Sequence, residues 1–228
     1  CASRPGMAWG NILNRKLGHP VINLGFSGNG KLEEAKAIVN EALEAGVDEQ
    51  EIINNYLIKG MEEIGERFDQ GKAFVPNLLL AARAMKGCLE ILKPRLKDGS
   101  GASLGTLVIG TVKGDLHDIG KNLVASMLEG CGFEVINLGV DISDSQFVDA
   151  VRKYNPQIVC LSALLTTTMS YMKEVIDTLA NEGLRQKVKV LVGGAPVSEE
   201  FAMQIGADGY SSNANGAVIL AKRILGKC

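Results

Sequence analysis

Apolar and polar positions recur along this chain with two different periods, and the change of period divides it. From Lys31 to Leu92 the repeat is helical. In KLEEAKAIVNEALEAG the residues Leu32, Ala35, Val39, Ala42 and Leu43 share one helical face, and Gly46 stands where a C-terminal stop is needed. Asp48 and Glu51 make a capping box for a second helix carrying Ile52, Ile53, Tyr56, Leu57, Met61, Ile64 and Phe68. A turn at DQGKAFVPN leads into a third helix, LLLAARAMKGCLEIL, closed by Pro94. The glycine- and serine-bearing stretch KDGSGAS reads as a linker over residues 97–103.

Beyond Leu104 short apolar runs alternate with helical ones. LGTLVIG, FEVINLG, QIVCLSA, VKVLVGG and ADGYSS read as strands, and helices begin near Ile119, Ser143, Ser170, Ser198 and Asn215. Five strand-then-helix units predict an α/β, doubly wound parallel sheet with the flavodoxin-like (Rossmann-like) strand order, preceded by a small helical bundle. Ligands of such sheets sit beyond the C-terminal strand ends, which directs attention to TVKGDLHD, LLTTTM, GGAPV and SSNANG. The expected domains are a helical cap over residues 31–96, the linker over 97–103 and an α/β domain over 104–228.

Composition narrows the chemistry. With 46% apolar residues and a net charge of −2, the chain can bury a core but carries no basic field for nucleic acid or an anionic membrane. No run reaches the ~18 apolar residues of a spanning helix, and no secretory signal is evident. Five scattered cysteines without CxxC spacing encode neither a disulfide framework nor a zinc knuckle, which points to a reducing cytoplasm. A phosphate loop is a poor match: five residues, not four, separate Gly114 from Gly120, and Asn122 stands where a hydroxyl is required. GxGxxG is missing after the first strand, and no acidic triplet resembles a phospho-acceptor pocket. A catalytic metal would normally use several imidazoles or thiolates, yet the chain has two histidines, and His19 lies in an atypical N-terminal segment. A lone His117 suits the single axial ligand of a metal already held by a macrocycle, with Asp115 on its other ring nitrogen.

Three motifs in order then carry a resemblance. GDLHDIG at Gly114–Gly120, SAL at Ser162–Leu164 and GG at Gly193–Gly194 resemble the DxHxxG…SxL…GG pattern of cobalamin-binding domains, with 41 residues between Gly120 and Ser162 and 28 between Leu164 and Gly193. MEEIGERFDQGKAFVPNLLLAARAMKGCLEILKP is similar to the cap of cobalamin-dependent methionine synthase and of the small corrinoid proteins of methylamine, methanol and methoxyarene methyltransferase systems. The resemblance implies a cobalamin or related corrinoid bound base-off, with His117 as the axial cobalt ligand. Gly114, Leu116 and Asp118 would flank it, and Gly120, Gly193 and Gly194 would keep a slot open for the displaced base and its tail. Ser162, Leu164 and Thr166 would line that slot, Asp115 and Thr168 would complete a His–Asp–hydroxyl relay, and Ala214 would touch the corrin edge. From the cap, Phe68 and Val75 would shield the methyl face.

Plainer roles compete for these residues taken singly. Asp115 and Asp118 suit helix caps, Gly193 and Gly194 a tight turn, and Phe68, Val75 and Leu78 a helical core. Cys131 and Cys160 read as core thiols. By resemblance the cofactor cycles between cobalt(I) and methyl-cobalt(III), in a carrier that turns nothing over alone. Its partners would be a substrate-specific methyltransferase, a second one methylating a thiol or tetrahydrofolate, and a reductive activator. A cobalamin-dependent sensor is the alternative, although no helix-turn-helix or basic region accompanies it; a mutase subunit would need a barrel on another chain. Residues 1–30 instead resemble a fragment of an SGNH-type hydrolase without its nucleophile, and no function is expected of them.

Overall fold

A computed structural model describes residues 32–95 and 103–227. The N-terminal segment with His19, and the expected linker apart from Ser103, lie outside the described residues. These residues cluster into two compact units, one helical and one α/β.

In the helical unit, α1 (Leu32–Glu44) is followed by Gly46 at φ +79°, as its stop requires. Asp48 accepts the Glu51 N–H at 3.0 Å and opens α2 (Glu49–Glu51). The helix then widens into a π-helical stretch, Ile52–Leu57, before α3 (Ile58–Asp69). An uninterrupted apolar period does not foretell that widening. The extra residue per turn rotates the following helix about its axis, and Ile52, Ile53, Tyr56 and Leu57 are all buried ahead of Met61 and Ile64. Helix α4 (Val75–Leu92) starts three residues before the expected Leu78. Pro76 is tolerated in its first turn, where an N–H has no partner to lose, and Asn77 accepts the Phe74 N–H at 2.9 Å. Pro94 does not stop the chain at once, because a 3-10 turn, Lys93–Arg95, follows α4. Helices α1 and α3 both pack on α4, whose Leu78, Met85, Cys88 and Leu92 are buried.

The α/β unit has strands β1 (Thr106–Val112), β2 (Glu134–Ile142), β3 (Ile158–Ser162), β4 (Lys189–Gly193) and β5 (Gly209–Tyr210), all parallel, in the order β2-β1-β3-β4-β5. This is the flavodoxin-like order. The central strands are near-continuous apolar runs because helices cover both faces. Between the strands run α5 (Ile119–Gly130), α6 (Asp144–Tyr154), α7 (Ser170–Asn181) and α8 (Glu199–Ile205), and α9 (Ala214–Ile224) follows β5. Three start where their caps stand: Ser143 closes a full capping box, Ser198 accepts the Phe201 N–H, and Asn213 accepts the Gly216 N–H. One core joins Val108, Val159 and Val190 of the sheet to Phe147 of α6, Met172 and Leu179 of α7 and Ile205 of α8. Right-handed crossovers put α5 and α9 on the other face. Cys88, Cys131 and Cys160 are buried. Burial pushes the Cys160 thiol up to about 12, and pushes Cys88 to about 12 against the pull of Lys36.

Candidate functional site

The order reverses between β1 and β3, so the loops leaving these two strands diverge and leave a crevice. The first loop opens with a tight turn in which the Asp115 N–H donates to the Val112 carbonyl at 3.2 Å. Gly114 holds φ +78° there, the conformation the third residue of a type II turn needs. This turn drives the Asp115 side chain to complete burial.

A buried carboxylate needs donors, and this one has five. Asp115 Oδ1 accepts the His117 N–H at 3.0 Å and lies 2.8 Å from His117 Nδ1. Oδ2 accepts the Leu164 and Leu165 N–H groups at 2.7 and 3.2 Å and the Thr168 hydroxyl at 2.8 Å. Burial alone would raise its pKa. The backbone bonds from Leu164 and His117, and the side-chain bonds from His117 and Thr168, outweigh burial and hold it well below the usual carboxylate range. An ionised carboxylate only accepts, so His117 Nδ1 must be the donor, and Nε2 is the ring nitrogen that carries the lone pair in the neutral imidazole. The Thr111 hydroxyl, fully buried on β1, donates to the His117 carbonyl at 2.9 Å.

Asp115 therefore does not cap α5, the plainer role open to it. It ties the β1 loop to the β3 loop across the strand-order reversal. Asp118 instead accepts from the Asn122 side chain at 2.8 Å within the first turn of α5. The His117 side chain is 51% exposed, and its neighbours Leu116 and Ile119 are exposed to 71% and 87%. Leu164 and Leu165, whose amides bind the same carboxylate, are exposed as well. Four exposed apolar side chains beside a half-exposed imidazole form a surface suited to a flat, largely apolar ligand.

The remaining motif residues are set by their strands. Ser162 pairs in register with Thr111 on one side and Gly193 on the other, so the second and third motifs end on one level of the sheet. Gly194, at φ +135°, passes so close to β3 that a β-carbon would lie 1.8 Å from the Ala163 carbonyl oxygen. At Gly120 a β-carbon would meet nothing within 4 Å. Thr166 is exposed in the β3–α7 loop, Ala214 is buried in the first turn of α9, and Phe68 and Val75 belong to the helical unit, half-buried and exposed respectively. Among the described residues no three His, Cys, Asp or Glu side chains gather as metal ligands.

The family described as B12 binding domain matches residues 105–219, and a second family of that description matches residues 28–93. The chain belongs to the B12-binding family. It is 45% identical over 195 residues to the trimethylamine corrinoid protein of Methanosarcina barkeri, covering 85% of this chain and 90% of that protein. Two solved members of similar fold are a cobalamin-binding protein from Desulfitobacterium hafniense (37% identity, TM-score 0.74, covering 90% of this chain and 99% of that one) and the methanol:cobalamin methyltransferase complex MtaBC from Methanosarcina barkeri (32% identity, TM-score 0.76, 90% and 78%). The motif residues of this B12-binding chain thus lie within the matched span, while Phe68 and Val75 lie within the second. Sequence reasoning missed Thr111, Ile119 and Leu165. The hydrophobic residues among them look like core to a periodicity argument, and only the loop geometry shows them exposed.

Proposed function

We propose that this chain carries a methyl group on a corrinoid between two methyltransferases, with His117 as the axial ligand. The observation that carries the reading is the imidazole itself: Nδ1 is engaged by a saturated carboxylate, which leaves Nε2 as the nitrogen open to a metal, and the ring is half-exposed among apolar side chains. When bound there, the corrinoid supplies a nucleophilic cobalt to which methyl is attached and from which it is removed. The protein residues orient and exclude. Asp115 fixes the tautomer and ring plane, Thr168 fixes Asp115, and Leu116, Ile119, Leu164 and Leu165 keep water from the ligand's face. Gly114, Asp118, Gly120, Ser162, Thr166, Gly193, Gly194 and Ala214 keep the contacts the resemblance gives them, and Phe68 and Val75 the shielding of the methyl face.

The chain works with a methyltransferase. That the second partner methylates a thiol or tetrahydrofolate, and that a reductive activator restores oxidised cofactor, belong to the proposal. A cytoplasmic location does too; no helix among the described residues is long and apolar enough to cross a membrane.

The test is the cobalt(II) electron paramagnetic resonance spectrum of the chain loaded with cobalamin. Nitrogen coupling from an imidazole is expected in the wild type and its loss in His117→Gly. Coupling that persists in that variant removes His117 from the metal.

A further inference from the structure

Strand β2 departs from regularity where it passes the histidine loop. It runs in register with β1 from Thr106↔Glu134 to Ile109↔Asn137, after which Gly110 pairs with Gly139 and Val112 with Ile142. Each step leaves one extra residue on β2. Bulges are rare in parallel pairs, and they bend a strand and re-aim its side chains.

Here side chains at either end of the irregular stretch take hold of the loop between β1 and α5 at both ends. Asn137 accepts from Lys121 Nζ at 2.8 Å; Lys121 is a buried lysine in the first turn of α5. Asp141 accepts the Gly114 N–H at 2.7 Å, and its own N–H donates to the Asp115 carbonyl at 3.0 Å. Asp141 does this at φ +54°. Among the described residues the other non-glycine at positive φ is Asn155, a helix C-cap, where that conformation is ordinary. Asp141 caps no helix, so its conformation is maintained by the clamp and the double bulge around it.

We propose that Asp141 is a positioning residue for the His117–Asp115 pair: its two bonds fix the peptides that aim the carboxylate at the imidazole, and so set how firmly His117 holds cobalt. This rests on His117 being the ligand. The side chain acts as an acceptor in a left-handed conformation, a combination asparagine reproduces, glycine half reproduces and alanine does not.

The test uses the full chain in two states. Without cofactor, 15N-histidine spectra report whether His117 Nδ1 keeps a hydrogen-bonded proton; the chain has two histidines, and His117→Gly assigns them. Loaded with cobalamin, the cobalt(II) spectrum reports the ratio of His-on to His-off protein. Asp141→Asn is expected to match the wild type in both. Asp141→Ala and Asp141→Gly are expected to lose the protected Nδ1–H signal and to lower the His-on ratio about tenfold, the effect of one hydrogen bond to a carboxylate. Wild-type spectra in both the alanine and glycine variants overturn the proposal, as does an asparagine variant as impaired as alanine. Where alanine prevents folding, the asparagine–glycine pair decides. A wild type without nitrogen coupling, but with an Nδ1–H signal that responds to Asp141, sinks the ligand assignment and leaves the positioning intact.

Discussion

Asp115→Asn changes one atom in a site where five donors meet two oxygens. Whichever way the carboxamide is turned, its NH2 faces donors. Turned toward Leu164 and Leu165, it strands two amides. Turned toward His117, it strands one, and the imidazole can relieve the second clash by moving its proton from Nδ1 to Nε2. The second arrangement costs less, so the variant is expected to adopt it. One unpaired, partly buried N–H costs ~1–3 kcal/mol, and the surviving bonds lose their charge assistance, giving a total of about 2–4 kcal/mol. That is a large share of the ~5–15 kcal/mol that holds a domain together. Urea unfolding of the cofactor-free chain measures the loss, and 15N-histidine spectra read the tautomer. The native state keeps Asp115 ionised at pH values where the unfolded chain binds the proton. Its stabilisation is therefore complete above about pH 4 and drains away as the pH falls further, so the gap between wild type and variant should narrow under acid conditions. A loss below about 1 kcal/mol at neutral pH, with the Nδ1–H tautomer retained, would refute the reasoning.

Thr168→Val should cost about 1 kcal/mol in urea unfolding and weaken His117 coordination, whereas Thr168→Ser should restore both, since only the hydroxyl reaches Asp115. Gly194→Ala places a β-carbon against the Ala163 carbonyl and should destabilise by about 3 kcal/mol or more, seen as lost soluble expression or a lowered unfolding midpoint. Lys121 is desolvated, which lowers its pKa against the pull of Asp118, so the unfolded chain binds more protons in alkaline solution. Stability should therefore rise with pH below about 10, and Lys121→Met should flatten that rise in pH-dependent unfolding.

The sheet was legible because its central strands carry the unbroken apolar runs that only a strand covered on both faces can have, and because Ser143 and Ser198 mark helix starts by the same chemistry that caps them. His117, Asp115 and Thr168 were assigned from motif and resemblance, and the structure brings those three together by hydrogen bonds. What escaped depends on interruptions of period. The bulges on β2 break the alternation on which a strand is recognised, so Asp141 gave no signal at a distance of 27 residues from its Gly114 partner. The π-helical stretch and the early start of α4 escaped for a related reason: an apolar face survives a local change of pitch, and a proline in a first turn looks the same in sequence as one in a loop.

The donors around Asp115 differ in how a lineage could alter them. Three are main-chain amides, present whatever side chains positions 117, 164 and 165 carry, and a fourth is the imidazole itself. The hydroxyl of Thr168 alone can be exchanged without redrawing a loop. Serine keeps the bond with a freer rotor, and alanine or valine deletes it. Divergence that adjusts the electron density of the imidazole, while sparing the fold, is therefore channelled through position 168.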